Sequence, residues 1–227
     1  ANYLELQRHA YAAAKRASAQ VQVGHAAFIP TTAFKNNPGP GQYEAAFAAV
    51  SPRIAVHSLN DIRAVLNQGN SFDFINVHNL GDPLEIEQIV RWINYELQSR
   101  NYRKPIVISD TFITPLTGWG PSDTCVGNPN NLGLLVPPAV EADRCRIANF
   151  FNNLLNNNQA AMDWTRGTAG EDNVRRTFIA AQQGIPWINL SYLADLPFLT
   201  TRGLHAGAGL AAWAGLVRLG LADVAEK

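Results

Sequence analysis

The chain has 227 residues, 47% of them apolar, with 18 basic and 18 acidic side chains balancing to no net charge. That is enough to bury a full core in one domain spanning residues 1–227, while the absence of a strong field or basic run argues against a nucleic-acid partner. No apolar run approaches the roughly 20 residues that would cross a bilayer, so no membrane span is expected.

The N-terminal Ala-Asn-Tyr-Leu has neither the basic nor the apolar region of a secretory leader and reads as a mature or partial chain. Tyr3 to Ala17 places Leu4, Ala10 or Tyr11, and Ala14 on one face at helical spacing, with Arg8, Lys15 and Arg16 opposite, which predicts an amphipathic helix. Val21 to Phe28 is short and β-branched enough for a strand, and the Asn-Pro-Gly-rich stretch from Lys35 to Gly41 is a loop. Tyr43 to Val50 and Ser58 to Asn67 read as helices, the second capped by Ser58, and Arg53 to His57 between them is weakly strand-like.

Phe72 to His78 is a clearer strand, bounded by Asn70-Ser71 and Gly81-Asp82-Pro83. Ile86, Ile89, Val90, Ile93 and Leu97 then recur at helical spacing up to Asn101, with Pro83 tolerated at the entry. Lys104 to Thr111 gives a third strand. The stretch from Thr114 to Pro138 is about twice the length of an ordinary connection, and such loops are functional or tied down. Helices are expected at Val140 to Leu155, Glu171 to Gln183 and Leu204 to Leu221, with a fourth strand at Ile185 to Tyr192.

Strands alternating with helices predict an α/β protein with a parallel sheet. In such folds the ligand site gathers at the C-terminal strand ends, where the loops vary over a rigid sheet. That rule selects His25, His78, Asn79, Asp110, Thr111, Tyr192 and Asp195. Each has an ordinary structural reading beside the functional one. Asp110 could cap the following loop or pair with an arginine, His78 could be a hydrogen-bonded core histidine, and His25 and His57 have no partner near in sequence. Trp119 and Trp187 could stack on sugar rings or fill a core.

The string Asp73-Phe74-Ile75-Asn76-Val77-His78, an amphipathic helix, and then Lys104-Pro105-Ile106-Val107-Ile108-Ser109-Asp110 resembles strands six and seven of the clan-A glycoside hydrolases. There a D-x-I-x-x-H strand is followed by K-P-I-x-I-T-E, whose glutamate is the nucleophile. The resemblance implies a (β/α) TIM-type barrel of which this chain supplies strands five to eight, and a carbohydrate substrate or ligand; with no His-Glu-x-x-His, paired Cys-x-x-Cys or glycine-rich phosphate loop in the sequence, no metal or other cofactor is expected. It implies as well that a missing N-terminal barrel half or another chain covers the sheet edges. It puts Asp110 at the nucleophile position and His78 beside it as the catalytic pair; the strand-end residues His25, Asn79, Tyr192 and Asp195 and the aromatic faces of Trp119 and Trp187 are the substrate-binding candidates beside them. The second catalytic carboxyl of the family would lie upstream of Ala1.

Asp110 departs from the family glutamate. Losing a methylene withdraws the carboxyl by about 1.5 Å, and retaining glycosidases hold their carboxyls roughly 5 to 5.5 Å apart. The alternative expectation is therefore an inactive barrel that binds carbohydrate or serves assembly. Cys125 and Cys145 flank a stretch rich in Asn, Pro and Gly, where a bridge would add on the order of 3 kcal/mol and point to a secreted or periplasmic setting; two buried thiols are the other reading.

Overall fold

The computed structural model describes residues 2–30, 32–50, 57–111, 150, 153–154 and 156–190. The chain divides into two compact units, one of residues 1–111 and 176–189, the other of residues 112–175 and 190–227. The expected helices at 140–155 and 204–221, the strand-like stretch at 53–57 (of which only His57 is described), the long loop and both cysteines lie outside the described residues in whole or large part.

In the first unit, helix α1 (Asn2–Ala17) is followed by extended chain, α2 (Tyr43–Val50), α3 (Leu59–Leu66), a 3-10 turn at Gly69–Ser71, strand β1 (Ile75–Asn79), α4 (Glu85–Gln98) and β2 (Ile106–Thr111). A third strand among the described residues, β3 (Ile188–Leu190), follows the end of a 24-residue helix, α5 (Gln159–Gln182), which begins in the second unit. Ser58 caps α3 as its sequence position predicts, its hydroxyl accepting from the Asp61 N–H at 3.1 Å.

The three strands form one parallel sheet in the order β1-β2-β3. Ile75, Val77 and Asn79 of β1 are buried while Asn76 and His78 are half-buried, the alternation that a pleated strand imposes. Part of the core is aromatic: Phe34 and Phe47 lie 5.2 and 5.1 Å from the fully buried Trp92 of α4, ring centre to ring centre. Burying side chains of this size is the main term holding the unit together.

The expected barrel is overturned. Among the described residues the sheet has three short strands and does not close, whereas a barrel needs eight strands linked edge to edge. The predicted first strand, Val21 to Phe28, also fails to become a regular one. It runs parallel to β1 but meets that side of the sheet only at two isolated bridges, Gly24 to Phe74 and Phe28 to Val77.

The reason lies in its backbone donors, which side chains have taken. The N–H of Val23 donates to Asp73 Oδ2 (2.8 Å) and that of Ala26 to the Tyr3 hydroxyl oxygen (2.6 Å), and just past its end that of Ile29 donates to His57 Nδ1 (3.3 Å). A chain whose donors are committed this way cannot continue a ladder. Gly24 permits the one close crossing, because a Cβ there would fall 2.4 Å from the Phe74 ring.

α5 also differs from the sequence expectation, which opens a helix only at Glu171. Its start is fixed by Asn158, whose side-chain oxygen accepts from the Ala161 N–H at 3.1 Å, and it runs on through Gly167 and Gly170. Two glycines cost about 1 kcal/mol each in a helix interior, and here they interrupt the periodic signal without interrupting the helix.

Candidate functional site

The C-terminal edge of the sheet is built from the ends of β1 and β2. Up to Val77 the strands pair residue for residue, Val77 with Ile108, but the next pair is His78 with Asp110, so Ser109 is an extra residue on β2. This bulge brings Asp110, rather than Ser109, beside His78. Bulges re-aim side chains in this way at strand ends. The His78 Nδ1 lies 4.0 Å from Asp110 Oδ2, with 27% of the histidine side chain and 44% of the aspartate side chain exposed. That is beyond a hydrogen bond but within strong electrostatic reach.

Burial lowers the pKa of His78 from its ordinary value; the Asp110 carboxylate opposes that shift and nearby His57 adds to it. The ring is therefore held neutral at physiological pH, able to accept a proton while facing a carboxylate. Asn189 of β3 reaches the same edge, its amide donating to the Ser109 carbonyl at 3.1 Å.

Asn79 sits in the next rung, paired with Thr111, and is buried. Its side-chain oxygen accepts from the guanidinium of Arg176, which also donates to the Asn79 carbonyl (3.1 Å) and the Gly81 carbonyl (2.6 Å). Its amide nitrogen donates to the Asp82 carbonyl at 3.4 Å. With both ends of its amide used inside the protein, Asn79 holds the turn after β1 rather than facing a ligand. Arg176 is itself fully buried.

That turn also holds Glu85, the first residue of α4. It is buried and accepts from the Thr32 N–H at 3.1 Å. Burial, reinforced by the charge of Asp82, pushes its carboxyl up to about 7 against the weaker pull of the Thr32 N–H, Lys35 and Arg176.

The remaining sequence candidates separate. His25 is buried, its Nδ1 donating to the Ala26 carbonyl (2.6 Å) and its Nε2 accepting from the Asn76 N–H (3.2 Å). Burial takes its pKa down to about 4, so the ring is a neutral structural element packed on Phe28 and Phe72. Trp187 is 54% exposed, and its carbonyl accepts from the Ile108 N–H, which sets its backbone beside mid-β2, before the edge where Asp110 sits. Trp119, Tyr192 and Asp195 lie outside the described residues.

His57, read from the sequence as structural, lines a cavity of about 400 Å³ with Tyr3, Leu4, Ala26, Phe28 and Asp61. The cavity adjoins the candidate edge, for the Phe28 carbonyl accepts the His78 N–H at 2.8 Å. His57, Asn189, Glu85 and Arg176 were not selected from the sequence as site residues. Glu85 alone had a signal there, as an acid in the first turn after a strand end; the others arrive through tertiary packing.

Among the described residues no group of three or more His, Cys, Asp or Glu side chains converges as a metal site, and no helix is long and apolar enough to cross a membrane. No protein-family model, curated protein or solved structure matches the chain.

Proposed function

We propose that the protein acts on carbohydrate, with Asp110 as the carboxylate that faces the anomeric carbon and His78 as the residue that positions and polarises it. One observation carries this reading: a partly exposed carboxylate set against a neutral, partly buried imidazole at the C-terminal edge of a parallel sheet, the location where α/β folds place ligands. The adjoining cavity gives further support, since a volume of about 400 Å³ with Phe28 and Tyr3 in its wall suits a small ring with an apolar face. The short motifs shared with glycoside hydrolases supply the substrate class; the reading does not require their barrel.

The second reading is a protein that binds carbohydrate without turning it over. It is favoured by the aspartate at a glutamate position, because a misplacement of about 1 Å can cost on the order of 100-fold in rate. A panel of aryl glycosides assayed for turnover, and the matching free sugars assayed for binding by saturation-transfer NMR, separates the two. Turnover that disappears in Asp110→Ala establishes the enzyme, and binding without turnover that weakens in the same variant establishes the binding protein. Neither binding nor turnover across the panel overturns both.

A further inference from the structure

A second cavity, of about 600 Å³, opens where the strands begin, at the end of the sheet opposite His78 and Asp110. It is lined by Asn67, Gly69, Arg100, Tyr102, Arg103 and Lys104, among others. Three of these six are cations from one five-residue stretch between α4 and β2. In a chain with no net charge overall, this is a local positive concentration.

Two of the cations and the aromatic wall are held by the protein before any ligand arrives. Lys104 Nζ donates to the Phe72 carbonyl at 2.7 Å and lies 5.2 Å from the centre of the Phe72 ring and 5.9 Å from that of Tyr102. The Tyr102 hydroxyl donates to the Leu66 carbonyl at 2.6 Å. Its ring packs so close to Gly69 that a Cβ there would fall 2.9 Å from it. Arg100 is fixed by Asn67 Oδ1 through Nε (2.8 Å) and by Glu96 Oε2 through Nη1 (2.8 Å), and its Nη2 makes no hydrogen bond among the described residues. Arg103 is exposed and makes no ion pair among the described residues.

The nearby acids are already engaged. Glu96 is shared between Arg63 and Arg100, and Asp73 pairs with Lys15 at 2.8 Å. Burial lowers the pKa of Lys104, with the Asp73 charge working against that shift and Lys15 adding to it. An anion placed beside Lys104 would offset the cost of that desolvation, as the Asp73 charge does in part.

We infer that this cavity is a binding site for a small phosphate-bearing molecule, the phosphate held by Arg103, Lys104 and Arg100 Nη2 and its organic part against the Tyr102 ring. Convergent cations favour a dianion over a single carboxylate, and guanidinium groups match phosphate oxygens in geometry. The concave shape and the absence of net charge favour a small ligand over a polyanion. The inference is independent of any chemistry at His78 and Asp110.

Calorimetric titration of the full chain in low-salt buffer with phenyl phosphate, and competition by inorganic phosphate, tests it. The expected result is saturable binding of phenyl phosphate, displaced by inorganic phosphate. Arg103→Glu, at an exposed position that leaves the fold intact, should weaken it by roughly 10-fold or more, whereas Arg8→Glu, the same charge change on exposed α1, should alter it by less than about 2-fold. No saturable binding overturns the inference. So does equal weakening by the two variants, which would mark a general field effect, and so does binding of duplex DNA or anionic vesicles where phenyl phosphate fails.

Discussion

His78 faces Asp110 across the β1–β2 ladder because β2 carries one residue more than β1 needs at that point. Without Ser109 as the extra residue, the pairing Val77 to Ile108 would continue as His78 to Ser109, and Asp110 would fall in the rung of Asn79. The bulge converts two strand ends into a site.

If the two side chains are coupled as their 4.0 Å separation implies, Asp110→Asn removes the charge that props up the His78 pKa, and the histidine must titrate lower than in the parent protein. Following the His78 ring protons by NMR across pH 4 to 8 measures this directly. An unchanged titration curve would mean that the carboxylate does not act on the ring.

Glu85 gives a stability signature of definite sign. Its folded pKa of about 7 is above the ordinary value of 4.5, so the folded state retains a proton that the unfolded state has released, and stability falls as pH rises through that interval. Glu85→Gln keeps an acceptor for the Thr32 N–H and removes the titration. The variant should match the parent protein near pH 4 and exceed it by about 3 kcal/mol above pH 8 in urea unfolding. Equal stabilities at pH 8 would show that Glu85 is charged and solvated in the fold.

His25 produces the opposite slope. Its pKa falls from 6.5 to about 4 on folding, so the stability that the neutral ring provides is complete above pH 6.5 and is lost as pH falls toward 4. In the parent protein this loss overlaps the gain from Glu85 and is partly masked. In Glu85→Gln it should emerge as a decline of about 3 kcal/mol between pH 6.5 and 4. A flat profile for that variant would mean that His25 is not held neutral.

Much of the first unit was legible in the sequence. The helices at Asn2–Ala17, Tyr43–Val50 and Glu85–Gln98 and the strands ending at Asn79 and Thr111 follow from local periodicity and turn residues. The positions of His78 and Asp110 at one edge follow from the parallel order of their strands. What the sequence could not reveal depends on contacts between distant segments. Val21 to Phe28 has strand composition, but Asp73 and Tyr3 capture two of its backbone donors from 50 and 23 residues away, and His57 captures that of the adjoining Ile29 from 28. The barrel expectation failed at the same step, because strand composition does not count ladder bonds. Arg176 is placed against Asn79 by the packing of α5, 97 residues along the chain, and no local pattern announces it. The Ser109 bulge is one residue of register and has no signature in composition.

The most direct test of the central claim is kcat/KM for a hydrolysed aryl glycoside in His78→Ala, Asp110→Asn and the double variant. The account predicts a loss on the order of 100-fold in each single variant and little further loss in the double, as for residues that work as one unit. Rates within about 2-fold of the parent protein in Asp110→Asn, or losses that simply multiply in the double variant, would contradict it.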